Sequence, residues 1–314
     1  MPRDDDRQIS SRERVSEPTR DARSQAMTRS RTSFVAAGAA LAAAVLLYWP
    51  VLVKLAHDWA TDDNYSHGFF IVPLAGYFAW ERRDRLAAAP HRPALTGLLL
   101  VVAGLATLLV GRLGADLFLP RVSLLAILAG AIVYLAGWPA VGVLAFPLAF
   151  LLLMIPLPAI VFNEVAFPLQ LMASAVGASV VSALGIPVLR EGNLIVLART
   201  TLEVAEACSG IRSLVSLLTL GIVYGYFTDS RTTVRTLIAL STIPIAIVAN
   251  AARVAGTGIA AHYYGDGIAH GFLHTFSGWV LFGVALVLTV IAGRVIVRMA
   301  PARPRDVSAT VTAS

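Results

Sequence analysis

Cys208 is the only cysteine in this 314-residue chain. It stands in Glu206-Ala207-Cys208-Ser209-Gly210-Ile211-Arg212-Ser213, where polar sequence gives way to an apolar run. With no second cysteine it forms no intramolecular disulfide, and one thiolate does not build a multi-cysteine zinc site. Two roles remain: inert packing, which is common for free cysteine, or a reactive thiol. Ser209 or Gly210 is suited to cap the helix that begins there. Close to the positive N-terminal end of a helix, a thiol's pKa falls below its free value of about 8.5. Arg212, one turn on, adds positive charge. A thiolate nucleophile further needs a base or a second cation, brought close by folding rather than by sequence.

Two segments offer such groups. In Ile243-Pro244-Ile245-Ala246-Ile247-Val248-Ala249-Asn250-Ala251-Ala252-Arg253-Val254, Arg253 follows Asn250 by three residues, so both lie on one helix face. An arginine in so apolar a helix costs at least a few kcal/mol unless it is satisfied. It either snorkels to the headgroups or lines a functional site. The second segment is His270-Gly271-Phe272-Leu273-His274-Thr275-Phe276-Ser277-Gly278-Trp279. Here His274 opens an apolar run, and His270 and His262 lie near it, so spacing alone does not choose among the three. His67, His262, His270 and His274 carry no metal-ligand motif, and no metal or other cofactor is expected.

These residues have to be positioned in lipid. Hydrophobic residues make up 57% of the chain and charged residues 14%, against about a quarter charged in a soluble domain. Runs long enough for ~30 Å of hydrocarbon recur. We read spans near Phe34–Val53, His67–Trp80, Leu95–Arg112, Val122–Gly137, Ala140–Ile155, Gly210–Phe227, Val234–Ala260 and His274–Val297. The fold expected is an all-α polytopic membrane protein with about eight transmembrane helices. Ala166 to Ile186, uncharged but rich in Ser, Ala and Gly, reads as a helix lying in the interface or a weak ninth span; a ninth span would put one terminus on the wrong side of the charge pattern, which favours the interfacial helix. Residues Val188–Leu197 read as a small hairpin around Glu191-Gly192-Asn193, continued by a strand through Thr200–Val204.

Residues 1–33 hold eight arginines, six acidic residues and several serines without apolar periodicity, and read as a disordered tail. The division expected is a tail over 1–33, a transmembrane domain over 34–299 and a short tail over 300–314. Arginines cluster in the first tail, in Glu81-Arg82-Arg83-Asp84-Arg85, at Arg231 and Arg235, and from Arg294 to Arg305. With eight spans these clusters and both termini share one side, the cytoplasmic side of a cell membrane. Asp58–His67, Gly114–Arg121, Pro156–Gly210 and Ala261–His274 then face outward. The net charge of +6 is thus accounted for by topology, and no aromatic-basic interleaving speaks for nucleic-acid binding.

A cysteine, an arginine and a histidine from three helices at one face suit a membrane cysteine transpeptidase or protease. The same residues resemble the exosortase/archaeosortase family of multi-pass membrane proteins. The resemblance rests on Glu206-Ala207-Cys208-Ser209-Gly210-Ile211-Arg212-Ser213, on Asn250-x-x-Arg253, on His274 with Ser277-Gly278-Trp279, and on Tyr65-Ser66-His67-Gly68. It implies a catalytic set of Cys208, Arg253 and His274, with Glu206, Ser209, Asn250 and His67 as supporting groups. It further implies cleavage of a C-terminal sorting signal of the PEP-CTERM type from secreted proteins, and their transfer through a thioester to an acceptor. The expected partners are such proteins, bearing a motif, a transmembrane helix and a basic tail, together with membrane lipid. The reading of another class is a transporter or a non-enzymatic component of surface-polysaccharide export, because intramembrane polar groups also line substrate paths. Against transport, the spans show no inverted repeat with broken helices at matching positions.

Overall fold

The computed structural model of the chain describes residues 42–198, 200–204, 210–265 and 272–301, with side chains from 278 onward in the last segment. The tail over 1–33 and residues 302–314 lie outside the described residues, as do Glu206, Cys208, Ser209 and His270. The chain divides into two compact units, residues 1–54 and 55–314. In the first, residues 42–54 are helical, and this helix, α1 (42–61), continues past the predicted end at Val53.

The second unit is built from α2 (Gly68–Glu81), α3 (Arg83–Ala88), α4 (Thr96–Leu113), α5 (Phe118–Ala136), α6 (Trp138–Phe150) and α7 (Ala159–Ala183). Three strands follow, β1 (Val188–Glu191), β2 (Leu194–Leu197) and β3 (Thr201–Glu203). The chain then forms α8 (Ile211–Thr228), α9 (Thr232–Tyr264) and α10 (Phe272–Met299). Six helices among the described residues, α4, α5 and α7 to α10, are long and apolar enough to cross a membrane. The protein is an all-α polytopic membrane protein. Two predicted spans are short helices, as read: α2 has 14 residues with Pro73 inside, and α6 gives way to a 3-10 turn at Leu151–Met154.

The segment read as an interfacial helix over 166–186 is the 25-residue α7, whose length and composition suffice for a crossing. Its Ser, Ala and Gly content hid that length in the sequence. Small residues there serve packing: a Cβ at Gly177 would lie 2.7 Å from Val254 Cγ1, and Gly258 faces Val181. Residues 177 and 181 therefore meet 254 and 258 in the same order, so α7 and the later half of α9 run parallel.

Glycines set the helix spacing elsewhere too. On α4, Gly97, Gly104 and Gly111 recur every seven residues, and each meets α5 closely, at Tyr134, Ile127 and Pro120 in turn. The descending partners make the pair antiparallel. Such small-residue seams let backbones approach in lipid, where no hydrophobic force between helices exists. Gly221 and Gly225 of α8 face Thr242 and Arg235 of α9 in the same fashion.

α8 and α9 differ in length, at 18 and 33 residues, or roughly 27 and 50 Å at 1.5 Å per residue. Gly225 lies against Arg235 and Gly210 against Asn250, so α8 covers only the first half of α9. The remaining half packs with α7 and the sheet, around Val181, Ile195, Leu197, Leu202, Val254 and Ala261. A separate core of Leu55, Ile71, Phe78, Leu125, Phe150 and Tyr226 joins α2, α5, α6 and α8.

The sheet is antiparallel in the order β1-β2-β3, as the hairpin reading predicted. Gly192 has φ +65° and stands first in the two-residue turn between Glu191 and Leu194, where a type II′ turn requires glycine.

Gly104→Leu tests the α4–α5 seam. A Cβ at this position already comes within 2.6 Å of Ile127 Cγ1, so the larger side chain should cost about 1–3 kcal/mol. A lower thermal-unfolding midpoint in detergent is expected, and an unchanged midpoint refutes the packing.

Candidate active site

α8 begins at Gly210, which has φ +81° and ψ 0°, the left-handed conformation, and no side-chain cap. Only glycine adopts this without strain. The position is also closed to a side chain, because a Cβ would lie 2.6–2.8 Å from the Asn250 side chain. Asn250 itself is 7% exposed. The helix carrying Asn250 and Arg253 therefore abuts the backbone two residues after Cys208.

On its other side α9 meets α10. A Cβ at Gly278 would lie 3.5 Å from Arg253 Nη1, so the guanidinium reaches the α10 backbone. Position 274 precedes Gly278 by one turn of the same helix, and positions four apart share a face. The His274 side chain is not described. Ser213, Asn250, Arg253, Gly278 and Phe282 line one small cleft between α8, α9 and α10. The backbone thus brings the start of α8, the Asn250–Arg253 face and the first turns of α10 to one place.

The loop between α1 and α2 is wired to the same start of α8. Arg212 Nη1 donates to Asp63 Oδ2 at 3.1 Å and Arg212 Nε to Asn64 Oδ1 at 3.3 Å. Tyr65 packs on Phe162, with ring centroids 6.4 Å apart, in a cluster that includes Ile211. Below this, Asp58 pairs with Arg121, which is only 3% exposed, and Trp59 Nε1 donates to the Met154 carbonyl at 2.9 Å. Sequence reasoning missed Asp63 and Asn64 as partners of Arg212; the run Asp62-Asp63-Asn64 before Tyr65 was the available signal.

His67, expected as a supporting group, caps the start of α2. Its Nε2 lies 3.2 Å from the Leu153 carbonyl, while Nδ1 is buried with no hydrogen-bond partner among the described residues. In the neutral ring Nε2–H is the donor to the Leu153 carbonyl. Burial holds the imidazole pKa below its ordinary value, against the opposing pull of the Leu153 carbonyl. The described partners of His67 are the Leu153 carbonyl in the 3-10 turn after α6 and the Asn64 backbone. Among the described residues no three His, Cys, Asp or Glu side chains group as metal ligands.

The family model described as Transmembrane exosortase (Exosortase_EpsH) matches residues 59–291. The chain belongs to the transmembrane exosortase family. No curated protein and no solved structure matches it. Membership makes this a multi-pass membrane protein of a family associated with sorting-signal processing. The matched region opens at Trp59, in the last turn of α1, and closes within α10.

Two outcomes follow from this geometry. Gly210→Ala forces a left-handed alanine, at roughly 1–2 kcal/mol, onto the Asn250 side chain. It should lower the unfolding midpoint, and Asn250→Ala in the same chain should recover part of the loss; no recovery means that the two do not touch. His67 supplies a pH dependence. Because its folded pKa lies below the unfolded value of 6.5, the folded state favours the neutral ring. Its contribution is whole above about pH 6.5 and is lost as pH falls through the lowered value. The midpoint should drop between pH 7 and 5, less steeply in His67→Gln, and equal slopes refute the assignment.

Proposed function

We propose that this chain is a membrane-embedded cysteine peptidase or transpeptidase that removes the C-terminal sorting signal of secreted proteins. The supporting observation is the approach of Asn250 to Gly210 and of Arg253 to Gly278, within a chain that matches the exosortase family over most of its length. In this reading Cys208 is the nucleophile, Arg253 the oxyanion partner and His274 the general acid and base.

The Cys208 thiolate attacks the scissile carbonyl carbon, and the carbonyl electron pair moves to oxygen. Arg253 offers fixed positive charge where that oxyanion develops. Collapse of the tetrahedral intermediate breaks the C–N bond, and His274 gives its proton to the leaving amine. The resulting thioester is attacked by an amine or hydroxyl acceptor, or by water, whose proton returns to His274. Transfer anchors the protein; hydrolysis releases it. Asn250, pressed on Gly210, fixes where the cysteine segment enters α8. Glu206, Ser209 and His67 are supporting groups in the same reading.

The basic clusters at Arg82–Arg85, Arg231, Arg235 and Arg298 fit a cytoplasmic side, which puts both termini in the cytoplasm and the site at the outer face of a cell membrane. The substrate there is a secreted protein held by its own apolar helix and basic tail, alongside lipid.

Co-expression with a signal-bearing secreted protein tests the reading by product mass. Cys208→Ala should abolish processing while the protein stays in the membrane, and Arg253→Lys should slow it by roughly two orders of magnitude. Added mass on the product means transfer and bare truncation means hydrolysis. Processing retained in Cys208→Ala refutes the nucleophile.

A further inference from the structure

The sheet has two edges, β1 and β3. β1 lies against α7, where Arg190 Nη1 reaches the Leu171 carbonyl at 3.4 Å and the Gly192 carbonyl at 3.2 Å. Ser174 Oγ also donates to the Gly192 carbonyl at 2.9 Å. These contacts fasten β1 to α7, while Leu189, Arg190 and Glu191 stay exposed. β3 pairs only with β2 among the described residues.

The direction of the free groups on β3 follows from the ladder. Val204 N–H donates to the Asn193 carbonyl at 2.9 Å, and Leu197 N–H to the Thr200 carbonyl at 2.8 Å. In an antiparallel ladder the paired positions alternate, so residues 200, 202 and 204 turn their backbone groups toward β2. Thr201 and Glu203 turn theirs away. Their side chains are exposed, while Leu202 and Val204 are buried on the helices. An uncovered strand edge is a template for another extended chain.

This edge sits immediately upstream of the proposed nucleophile. Glu203 precedes Cys208 by five residues, and Gly210, against Asn250, follows it by two. We infer that β3 binds the substrate by strand addition, pairing with the extended segment N-terminal to the scissile bond. The inference rests on the peptidase reading and names how that site holds its peptide. β3 runs toward the cysteine, and so does a substrate segment approaching its scissile bond, which makes the added strand parallel to β3. In parallel pairing one substrate residue makes two bonds. Its N–H donates to the Thr201 carbonyl, and its carbonyl accepts from Glu203 N–H. The contacts are main-chain, so they fix the register of the peptide without reading its side chains, and specificity lies elsewhere in the site.

Glu203→Pro removes the outward N–H and no ladder bond, whereas Glu203→Ala keeps it. The probe is the C-terminal segment of a secreted protein that wild-type enzyme processes, in co-expression and as a synthetic peptide given to purified enzyme in detergent. E203P should process it roughly ten-fold more slowly, with E203A within about two-fold of wild type. Peptides N-methylated one residue at a time should show one sensitive position, upstream of the cleavage point, with tolerant neighbours on both sides. Equal rates for E203P and wild type, or a flat N-methyl series, overturn strand addition. The peptide series decides the matter on wild-type enzyme if E203P does not accumulate. Should Cys208→Ala process as wild type does, the peptidase reading fails and this inference with it; should C208A alone be inactive, only strand addition fails.

Discussion

The excess length of α9 over α8 is the constraint from which the site descends. α9 is 33 residues and α8 is 18, so their antiparallel pairing ends where α8 begins, at Gly210 beside Asn250. Asn250 and Arg253 are then the first polar groups of α9 past the bilayer-length part of that pair. α10 closes the other side at Gly278. Had α9 stopped level with α8, Arg253 would have no helix to stand on and the sheet no wall to pack against.

The free half of α9 organises everything beyond that level. α7 lies parallel to it and the sheet covers it, with Val254 and Ala261 of α9 in one core with Ile195, Leu197 and Leu202. A three-stranded sheet alone is marginal in water, and burial of its apolar face on two helices supplies what it lacks. β3 consequently ends at a fixed place, and the short segment to Gly210 has both its ends held. The cysteine lies in that segment, outside the described residues, between two anchored points.

Much of this was legible in the sequence, for reasons that differ by element. Long uniformly apolar stretches such as Thr96–Leu113 announce themselves because lipid tolerates little else. The hairpin was readable from Gly192-Asn193, since few residue pairs make that turn. The Asn250–Arg253 face was readable because charge in an apolar helix is rare. α7 reads two ways, as an interfacial helix or a span, because its Ser, Ala and Gly residues lower hydropathy while serving close packing against Val254 and Ala255. The partners of Arg212 were missed for a different reason: the polar run Asp62-Asp63-Asn64 marks a candidate surface, but Asp63 and Asn64 lie about 150 positions away and only folding selects their partner.

The loop carrying those partners shows how rigidity is graded toward the site. Its base is held by the buried Asp58–Arg121 pair, where loss of one partner strands a charge at roughly 3–5 kcal/mol. Its tip is held by Arg212 to Asp63, with side chains 42% and 77% exposed, and an exposed pair of this kind contributes at most about 1 kcal/mol. Tyr65 on Phe162, beside Ile211, lies between the two. The ion pair at the start of α8 is thus the weaker of the two charge pairs. The contact at the start of α8 is therefore the one more easily opened, and the Asp58–Arg121 pair still holds the end of α1 when it is.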